Sequence, residues 1–199
     1  LSAFGALPIY WSGAVPTYTD AFFESISGLT TTGATVMVGL DNQPPGILLW
    51  RGILQWLGGL GIIVMAVSVL PMLQIGGMQL FKVEAFETPE KILPRATQIS
   101  GFITLIFLNL TGLCMLAYLF AGMNVLDAVV HAMTTVATGG FSNHDASLGH
   151  FNNSAIDSIA ILFMIIGSLP FLLYVQALQG QSRPLLRDGQ VRAFLILLA

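Results

Sequence analysis

The chain has 199 residues, of which 55% are hydrophobic and only 9% are charged, and its mean hydropathy is +0.81. Soluble domains carry roughly 25% charged residues, so this composition excludes a water-soluble globular protein. The formal net charge of −3 provides no basic surface for a nucleic acid, so no nucleic-acid partner is expected. The composition therefore predicts an all-α membrane protein.

Three apolar segments are long enough to cross a bilayer as helices, which takes about 20 residues. Residues 46–73 carry one charge, Arg51, close to their beginning, and residues 99–125 and 160–178 carry none. Both ends of the chain are also apolar but shorter. Because the chain has no initiator methionine and stops within an apolar run, we interpret it as a fragment of a longer membrane protein.

Two shorter segments, residues 19–36 and 126–142, are copies of one pattern. Their matched positions lie 107 residues apart: Asp20 and Asp127, Ala21 and Ala128, Thr31 and Thr138, Gly33 and Gly140, and Thr35 and Ser142. In each copy, a short apolar helical pattern runs into a stretch rich in threonine and glycine. A pattern that recurs at a fixed spacing indicates an internal structural repeat.

The apolar pattern in each copy predicts a half-length helix, over residues 20–31 and 127–137. At about 1.5 Å per residue the first helix would be about 18 Å long, against a hydrocarbon thickness of about 30 Å. We expect Thr19 or Asp20 to cap the first helix and Asp127 to cap the second, because their side-chain oxygens can accept from free backbone N–H groups. Helices of this length enter the membrane and turn back, so the sequence predicts two re-entrant loops.

The Thr/Gly stretch of each loop is predicted to be extended backbone at membrane depth, which is tolerated only where protein buries it or where it lines a watery cavity. Glycine lets carbonyl groups turn toward one axis, and rings of carbonyls can replace the water shell of a dehydrated cation. The negative ends of the half-helix dipoles favour a cation nearby. The predicted filter residues are Thr31, Thr32, Gly33 and Ala34 in the first loop and Ala137, Thr138, Gly139 and Gly140 in the second.

Four charged residues beside the loops are expected to support them: Asp20, Glu24, Arg51 and Asp127. Glu24 lies inside the first half-helix, where it either forms a structural hydrogen bond behind the filter or influences ion entry. Arg51 is expected to pair with one of the nearby acids, which are Asp20, Glu24 and Asp41. His131 aligns with Glu24 in the second copy, and we expect it to be buried and hydrogen-bonded.

The basic residues predict how the chain is oriented in the membrane. Six of the seven lie in two connecting segments: Lys82, Lys91, Arg95, Arg183, Arg187 and Arg192. By the positive-inside rule, the loops at residues 74–96 and 180–192 are expected to face the cytoplasm. Both Thr/Gly loops would then open to the outside of the cell.

Three motifs taken together resemble one known family: ESISGLTTTGATV, WRGILQWLGGLGIIV and TTVATGGFS. They are similar to the TrkH-type potassium uptake proteins of the Trk/Ktr/HKT superfamily. The resemblance implies four helix–pore-loop–helix repeats around one pore, each with a central filter glycine, which is Gly33 in the first loop and Gly139 or Gly140 in the second. It also implies K⁺ uptake across the bacterial inner membrane. Backbone carbonyls would coordinate the dehydrated ion at Thr32, Gly33, Thr138 and Gly139.

The resemblance also implies a layout of the chain and a set of partners. Residues 1–80 would hold the end of an outer helix, the pore loop and the inner helix of repeat one; residues 81–96 a cytoplasmic loop; residues 97–180 all of repeat two; and residues 181–199 a second cytoplasmic loop and the start of repeat three. Family members work as homodimers in membrane lipid and bind a cytosolic ring of nucleotide-binding regulatory subunits. K⁺ would be the transported ion, and no organic cofactor is expected in this chain.

Two other function classes fit the sequence less well. An ion-coupled secondary transporter with broken helices would have repeats of inverted topology, whereas the charge count has both loops entering from the same side. Whether uptake proceeds by channel flow or by symport with H⁺ or Na⁺ stays open. An intramembrane serine protease would need Ser25 or Ser27 paired with a histidine base such as His131, and this arrangement is a poor match. We therefore predict no enzymatic activity.

The polar segment after the second loop contains three residues with metal-ligating groups, His144, Asp145 and His150. No cysteine or glutamate cluster accompanies them. We therefore expect a solvent-exposed loop there rather than a metal site.

Overall fold

A computed structural model of the protein describes residues 1–73, 89–178 and 188–198. Within these ranges the chain forms eight α-helices and no strand. The helices are α1 (Ser2–Trp11), α2 (Tyr18–Leu29), α3 (Pro45–Leu73), α4 (Pro89–Phe120), α5 (Val125–Val136), α6 (Ser154–Ser168), α7 (Phe171–Leu178) and α8 (Gly189–Leu198). Short 3-10 helices cover Leu40–Asn42 and Ser147–Phe151. The predicted all-α class is confirmed.

Among the described residues, two helices are long and apolar enough to cross a membrane, over Pro45–Met65 in α3 and over Gln98–Phe120 in α4. A third span exists only if α6 and α7 are counted together, because the helix is broken at residues 169–170. The prediction of one continuous helix over residues 160–178 is therefore wrong. Pro170 explains the break, since proline has no N–H to donate and its ring clashes with the preceding turn.

Helix α4 begins earlier than the sequence predicts. It starts at Pro89, whereas residues 81–96 were expected to form a loop. Proline is favoured at the first helical position, where its missing N–H would have no helical partner in any case. Lys91 and Arg95 therefore belong to the first turns of α4. The remaining basic residues of the two expected loops, apart from Arg192 in α8, lie outside the described residues.

The chain divides into two compact units. The first comprises residues 1–60 and 108–168, and it contains both repeated segments. Its core includes Ala6 and Ile9 of α1 and Ala21 of α2, none of which is exposed at all. The second comprises the described parts of residues 61–107 and 169–199, in which the Phe107 and Phe171 rings pack with their centroids 5.8 Å apart.

Large apolar side chains on the surface of the first unit include Trp11, which is 75% exposed, and Phe120, which is 91% exposed. Water would disfavour such an apolar surface, whereas the hydrocarbon of a bilayer would not. These side chains fit the predicted contact with membrane lipid.

The two predicted half-helices are α2 and α5, and each has 12 residues. Both begin slightly earlier than predicted, and the predicted caps are wrong. The first cap is Thr17, whose Oγ1 accepts from the Asp20 N–H at 3.1 Å and donates to Asp20 Oδ2 at 2.7 Å. The second is Asn124, whose Oδ1 accepts from the Asp127 N–H at 2.9 Å and whose Nδ2 donates to Asp127 Oδ2 at 2.6 Å. The aligned aspartates thus complete a reciprocal cap from the third helical position.

Candidate functional site

The residues that follow α2 and α5 adopt the same unusual backbone conformation. We call residues 30–36 the first segment and residues 137–143 the second segment. Thr31 and Thr138 have φ angles of 55° and 52°, and Gly33 and Gly140 have φ angles of 75° and 85°. Residues other than glycine rarely adopt a positive φ, and a β-branched residue such as threonine does so least readily. The same strain at aligned positions means that the sequence repeat is also a structural repeat.

Matched backbone hydrogen bonds close both segments onto their half-helices. Two bonds of the first segment have counterparts 107 residues later. Thr31 N donates to Gly28 O at 2.9 Å and Thr138 N to Thr135 O at 3.0 Å, while Thr32 N donates to Ser27 O at 2.9 Å and Gly139 N to Thr134 O at 2.8 Å. These bonds satisfy carbonyls that would otherwise lack partners at a helix C-terminus. The half-helices therefore end in a defined loop and not in a frayed turn.

The two segments meet at their glycines. A Cβ atom added to Gly33 would collide with the carbonyl oxygen of Gly139. A Cβ atom added to Gly139 would collide in turn with the side chain of Gln55, which α3 places beside both segments. The two backbones can approach this closely only because Gly33 carries no side chain.

Gly139 and Gly140 need to be glycine for different reasons. Gly140 has the positive φ of its aligned partner Gly33, and its Cβ position is open. Gly139 does not have a positive φ, but the Gln55 side chain leaves it no room. Gly140 is therefore the conformational counterpart of Gly33.

The Gln55 side chain binds the backbone of the second segment. Its side chain is fully buried, and its Oε1 accepts from the Phe141 N–H at 3.0 Å. Its Nε2 is buried with no hydrogen-bond partner among the residues that the structure describes. The sequence signal for this role is that Gln55 is a polar residue within an apolar helix, since intramembrane polar residues are often functional.

Replacing Gln55 with leucine is expected to lower the free energy of unfolding by about 1–3 kcal/mol, because the Phe141 N–H would be left buried without an acceptor. Leucine also removes the unpartnered Nε2, so the loss of unfolding free energy should fall toward the lower end of this range. Thermal unfolding of the full-length protein in detergent measures the effect. The matched control is Gln43→Leu, since Gln43 donates at the surface to Val38 O at 3.4 Å. Equal losses in both variants would contradict the assigned role of Gln55.

A buried ion pair links the first half-helix to both segments. Glu24 and Arg51 are 0% and 1% exposed, and the distance from Arg51 Nη2 to Glu24 Oε1 is 2.7 Å. Arg51 Nε donates to the same carboxylate oxygen at 2.8 Å, and Nη1 donates to the Ser142 carbonyl at 3.0 Å. The guanidinium group also lies over the Phe141 ring, 4.2 Å from its centroid. Of the three acids expected to pair with Arg51, the structure selects Glu24.

The Glu24 carboxylate reaches the first segment directly. It accepts from Thr35 Oγ1 at 2.7 Å and from the Val36 N–H at 3.1 Å. Arg51 Nη2 donates to the same Thr35 hydroxyl at 3.2 Å. The arginine thus connects α2, the first segment and the second segment in one network, which agrees with a structural role for Glu24 behind the loop.

At the position aligned with Glu24, the second repeat has His131, so an imidazole stands in place of the carboxylate. His131 is buried as expected; its Nε2 lies 2.9 Å from Ser142 Oγ and its Nδ1 lies 2.8 Å from the Asp127 carbonyl. Ser142 is the aligned partner of Thr35, and both hydroxyls accept from the N–H two residues on, at 3.1 Å in each repeat. Each repeat therefore ties its segment to its half-helix through a hydroxyl.

A polar cluster lies on the loops that follow the two segments. His144 Nδ1 lies 2.5 Å from Asp41 Oδ1, and His144 Nε2 lies 3.1 Å from Asp127 Oδ2. The hydrogen bond with His144 is the main cause that lowers the pKa of Asp41. Burial alone would lower the pKa of His144, but its hydrogen bonds to Asp41 and Asp127 outweigh this and raise the pKa. His144 is thus half-buried and paired, contrary to the expected exposed loop.

The chain is similar to known transport proteins along its whole length. The sequence profile of the TrkH family, described as cation transport protein, matches residues 1–199. The chain is 46% identical to the Trk system potassium uptake protein TrkI of Halomonas elongata over 199 residues, which cover 100% of this chain and 40% of that protein. It is also 46% identical to the Trk system potassium uptake protein TrkH of Escherichia coli over 200 residues, covering 98% of this chain and 41% of that protein.

A solved structure is similar over the same extent. The crystal structure of the potassium transporter TrkH from Vibrio parahaemolyticus matches with a TM-score of 0.84 and 42% identity, covering 98% of this chain and 40% of that one. The chain therefore spans about two fifths of the length of the relatives that it matches. The resemblance inferred from the three motifs is confirmed, and the chain belongs to the TrkH family of cation transport proteins.

Proposed function

We propose that the protein containing this chain takes up K⁺ across the bacterial inner membrane and that the two matched segments supply two quarters of its ion filter. The observation that carries the proposal is the recurrence of one strained loop, with positive φ at Thr31 and Gly33 and again at Thr138 and Gly140. The names of the relatives support K⁺ as the ion. The family is one of transporters, so the proposal involves no enzymatic activity.

In this proposal the backbone binds the ion. Carbonyl groups at Thr32, Gly33, Thr138 and Gly139 replace part of the water shell of K⁺. Thr31, Ala34, Ala137 and Gly140 complete the two filter stretches. The close approach of Gly33 to the Gly139 carbonyl supports this assignment, because it brings backbone from both repeats together. The C-terminal ends of α2 and α5 add a negative dipole potential, so no fixed carboxylate is needed in the path.

Gly140 is proposed as the filter glycine of the second repeat. Its φ of 85° matches the 75° of Gly33, whereas Gly139 is required for packing against Gln55. In this proposal two buried pairs hold the filter stretches in place: Glu24 with Arg51 for the first, and His131 with Ser142 for the second. Asp20 and Asp127 complete the caps of the half-helices.

The remaining parts of the proposal rest on the family and on the charge pattern. The basic segments at residues 74–96 and 180–192 face the cytoplasm, and both loops open to the outside. Residues 1–80 and 97–180 belong to two successive pore repeats. The protein works as a homodimer and binds a cytosolic ring of nucleotide-binding regulatory subunits.

Ion-coupled secondary transport is the second candidate function. The break between α6 and α7 at residues 169–170 favours it, since transporters of this kind bind their ions at discontinuous helices. The two candidates differ in whether uptake needs a second ion.

Ion flux into proteoliposomes that contain the full-length protein tests both candidates. We expect K⁺ uptake driven by a K⁺ gradient alone, with Na⁺ competing weakly, and none in liposomes without protein. Uptake that requires an added H⁺ or Na⁺ gradient would favour the coupled transporter. Absence of K⁺ uptake under every gradient would contradict both.

A further inference from the structure

Three side chains with metal-ligating atoms converge on the loops after the two filter stretches. Asp41 comes from the 3-10 helix Leu40–Asn42, His144 from the loop after the second stretch, and His150 from the 3-10 helix Ser147–Phe151. One ligand atom from each lies within 4.8 Å of the other two. Asp41 Oδ1 is 2.5 Å from His144 Nδ1 and 3.8 Å from His150 Nδ1. One carboxylate oxygen thus faces two imidazole nitrogens.

The support behind His144 is of the kind found in metal sites. A histidine that binds a metal through one ring nitrogen usually donates from the other to a carboxylate, which fixes its tautomer and orientation. With Nδ1 toward Asp41, the opposite nitrogen Nε2 of His144 lies 3.1 Å from Asp127 Oδ2. Asp127 is buried, and its carboxylate accepts from Asn143 Nδ2 at 2.8 Å and from Asn124 Nδ2 at 2.6 Å. The histidine is therefore oriented by a buried, hydrogen-bonded carboxylate.

The two imidazole rings present their nitrogens side by side. The His144 and His150 rings are stacked with centroids 3.6 Å apart and an angle of 4° between their planes. Parallel rings do not aim both lone pairs at one point, so one ring must turn to complete a site. His150 is 45% exposed, which leaves it room to turn. His144 Nε2 stays paired with Asp127, so His144 supplies the fixed ligand, and its Nδ1 exchanges the hydrogen bond with Asp41 for the metal ion.

We infer that Asp41, His144 and His150 form a binding site for a divalent transition-metal ion of the Zn²⁺ type. Two imidazole nitrogens and one carboxylate suit Zn²⁺ and its neighbours, whereas Mg²⁺ and Ca²⁺ prefer oxygen ligands. The exposed edge of the cluster leaves the remaining coordination position to water. Because Asp41 follows the first stretch and the histidines follow the second, the ion would tie the two repeats together.

The site is tested by metal binding to the full-length protein in detergent. Co²⁺ serves as a spectroscopic probe, because four-coordinate Co²⁺ absorbs visible light far more strongly than six-coordinate Co²⁺, and Zn²⁺ should displace it. We expect His150→Ala and Asp41→Asn to weaken Zn²⁺ binding by at least about tenfold, the lower end of the loss that even outer-shell partners cause. Asp157→Asn is the control, since Asp157 is an exposed carboxylate outside the cluster.

A second measurement guards against misfolded variants. Zn²⁺ should raise the unfolding temperature of the unmodified protein and of the Asp157→Asn variant, and at the same Zn²⁺ concentration it should raise that of His150→Ala less. Equal Zn²⁺ affinity in the unmodified protein and the His150→Ala variant, or no saturable binding in either, would overturn the inference. Neither measurement involves ion flux, so its outcome is independent of whether the protein conducts K⁺.

Discussion

Replacing Gly33 with serine is expected to abolish selectivity for K⁺ over Na⁺ in the full-length protein. Gly33 has a φ of 75°, which strains any other residue, and a Cβ atom there would collide with the Gly139 carbonyl oxygen. The obstacle is backbone of the other repeat, so it cannot be relieved by turning a side chain. Carbonyl groups of both stretches must therefore shift, and in the proposed filter selectivity depends on their spacing. Relative K⁺ and Na⁺ uptake in proteoliposomes measures the effect.

Gly39→Ser is the matched control for this experiment. Gly39 also has a positive φ, of 66°, but a Cβ atom there meets nothing within 4 Å. The Gly39→Ser change should therefore cost about 1–2 kcal/mol of backbone strain and leave selectivity intact. Gly140→Ser, with a φ of 85° and an open Cβ position, should have a smaller effect than Gly33→Ser, although the sequence repeat alone predicts the same effect at both. Normal selectivity in Gly33→Ser would remove the filter assignment.

Replacing Arg51 with methionine is expected to destabilise the protein by about 3–5 kcal/mol, because it leaves the Glu24 carboxylate buried without its partner. The change also removes the donors to Thr35 Oγ1 and to the Ser142 carbonyl. Thermal unfolding of the full-length protein measures the loss. Arg51→Lys should be intermediate, since an ammonium group keeps the charge but lacks the planar fork that reaches three acceptors.

The double variant Glu24→Gln with Arg51→Met separates two explanations. If the unpaired charge causes most of the loss, removing the carboxylate charge should recover a large part of the stability. If the double variant is as unstable as Arg51→Met alone, the loss comes from the hydrogen bonds to the two filter stretches instead. Selectivity measured in the same variants reports whether the network also positions the filter.

Most of the fold could be predicted because it depends on local pattern. Composition determined the membrane class, and the length of each apolar run separated the spans from the half-helices, which the structure has at 12 residues each. The caps lie at Thr17 and Asn124, two or three residues before the predicted Thr19 or Asp20 and three before Asp127, because Thr17 with Asp20 and Asn124 with Asp127 form reciprocal pairs whose first member is the cap. The break at Pro170 was visible in the sequence, but the apolar run around it suggested one continuous helix.

The sequence by itself determined the class of protein, the two copies of the half-helix and Thr/Gly stretch, and the positions that must be compared between them. Only the tertiary structure decided that Arg51 pairs with Glu24 and that Asp41 contacts His144. It also showed that the Gln55 side chain leaves no room for a Cβ atom at Gly139, whereas the Cβ position of Gly140 is open. These contacts join residues that lie far apart along the chain. The contacts of Arg51 and Gln55 depend on how α3 packs against both loops, and the contact between Asp41 and His144 depends on how the segments after the two loops meet. No local periodicity encodes either arrangement.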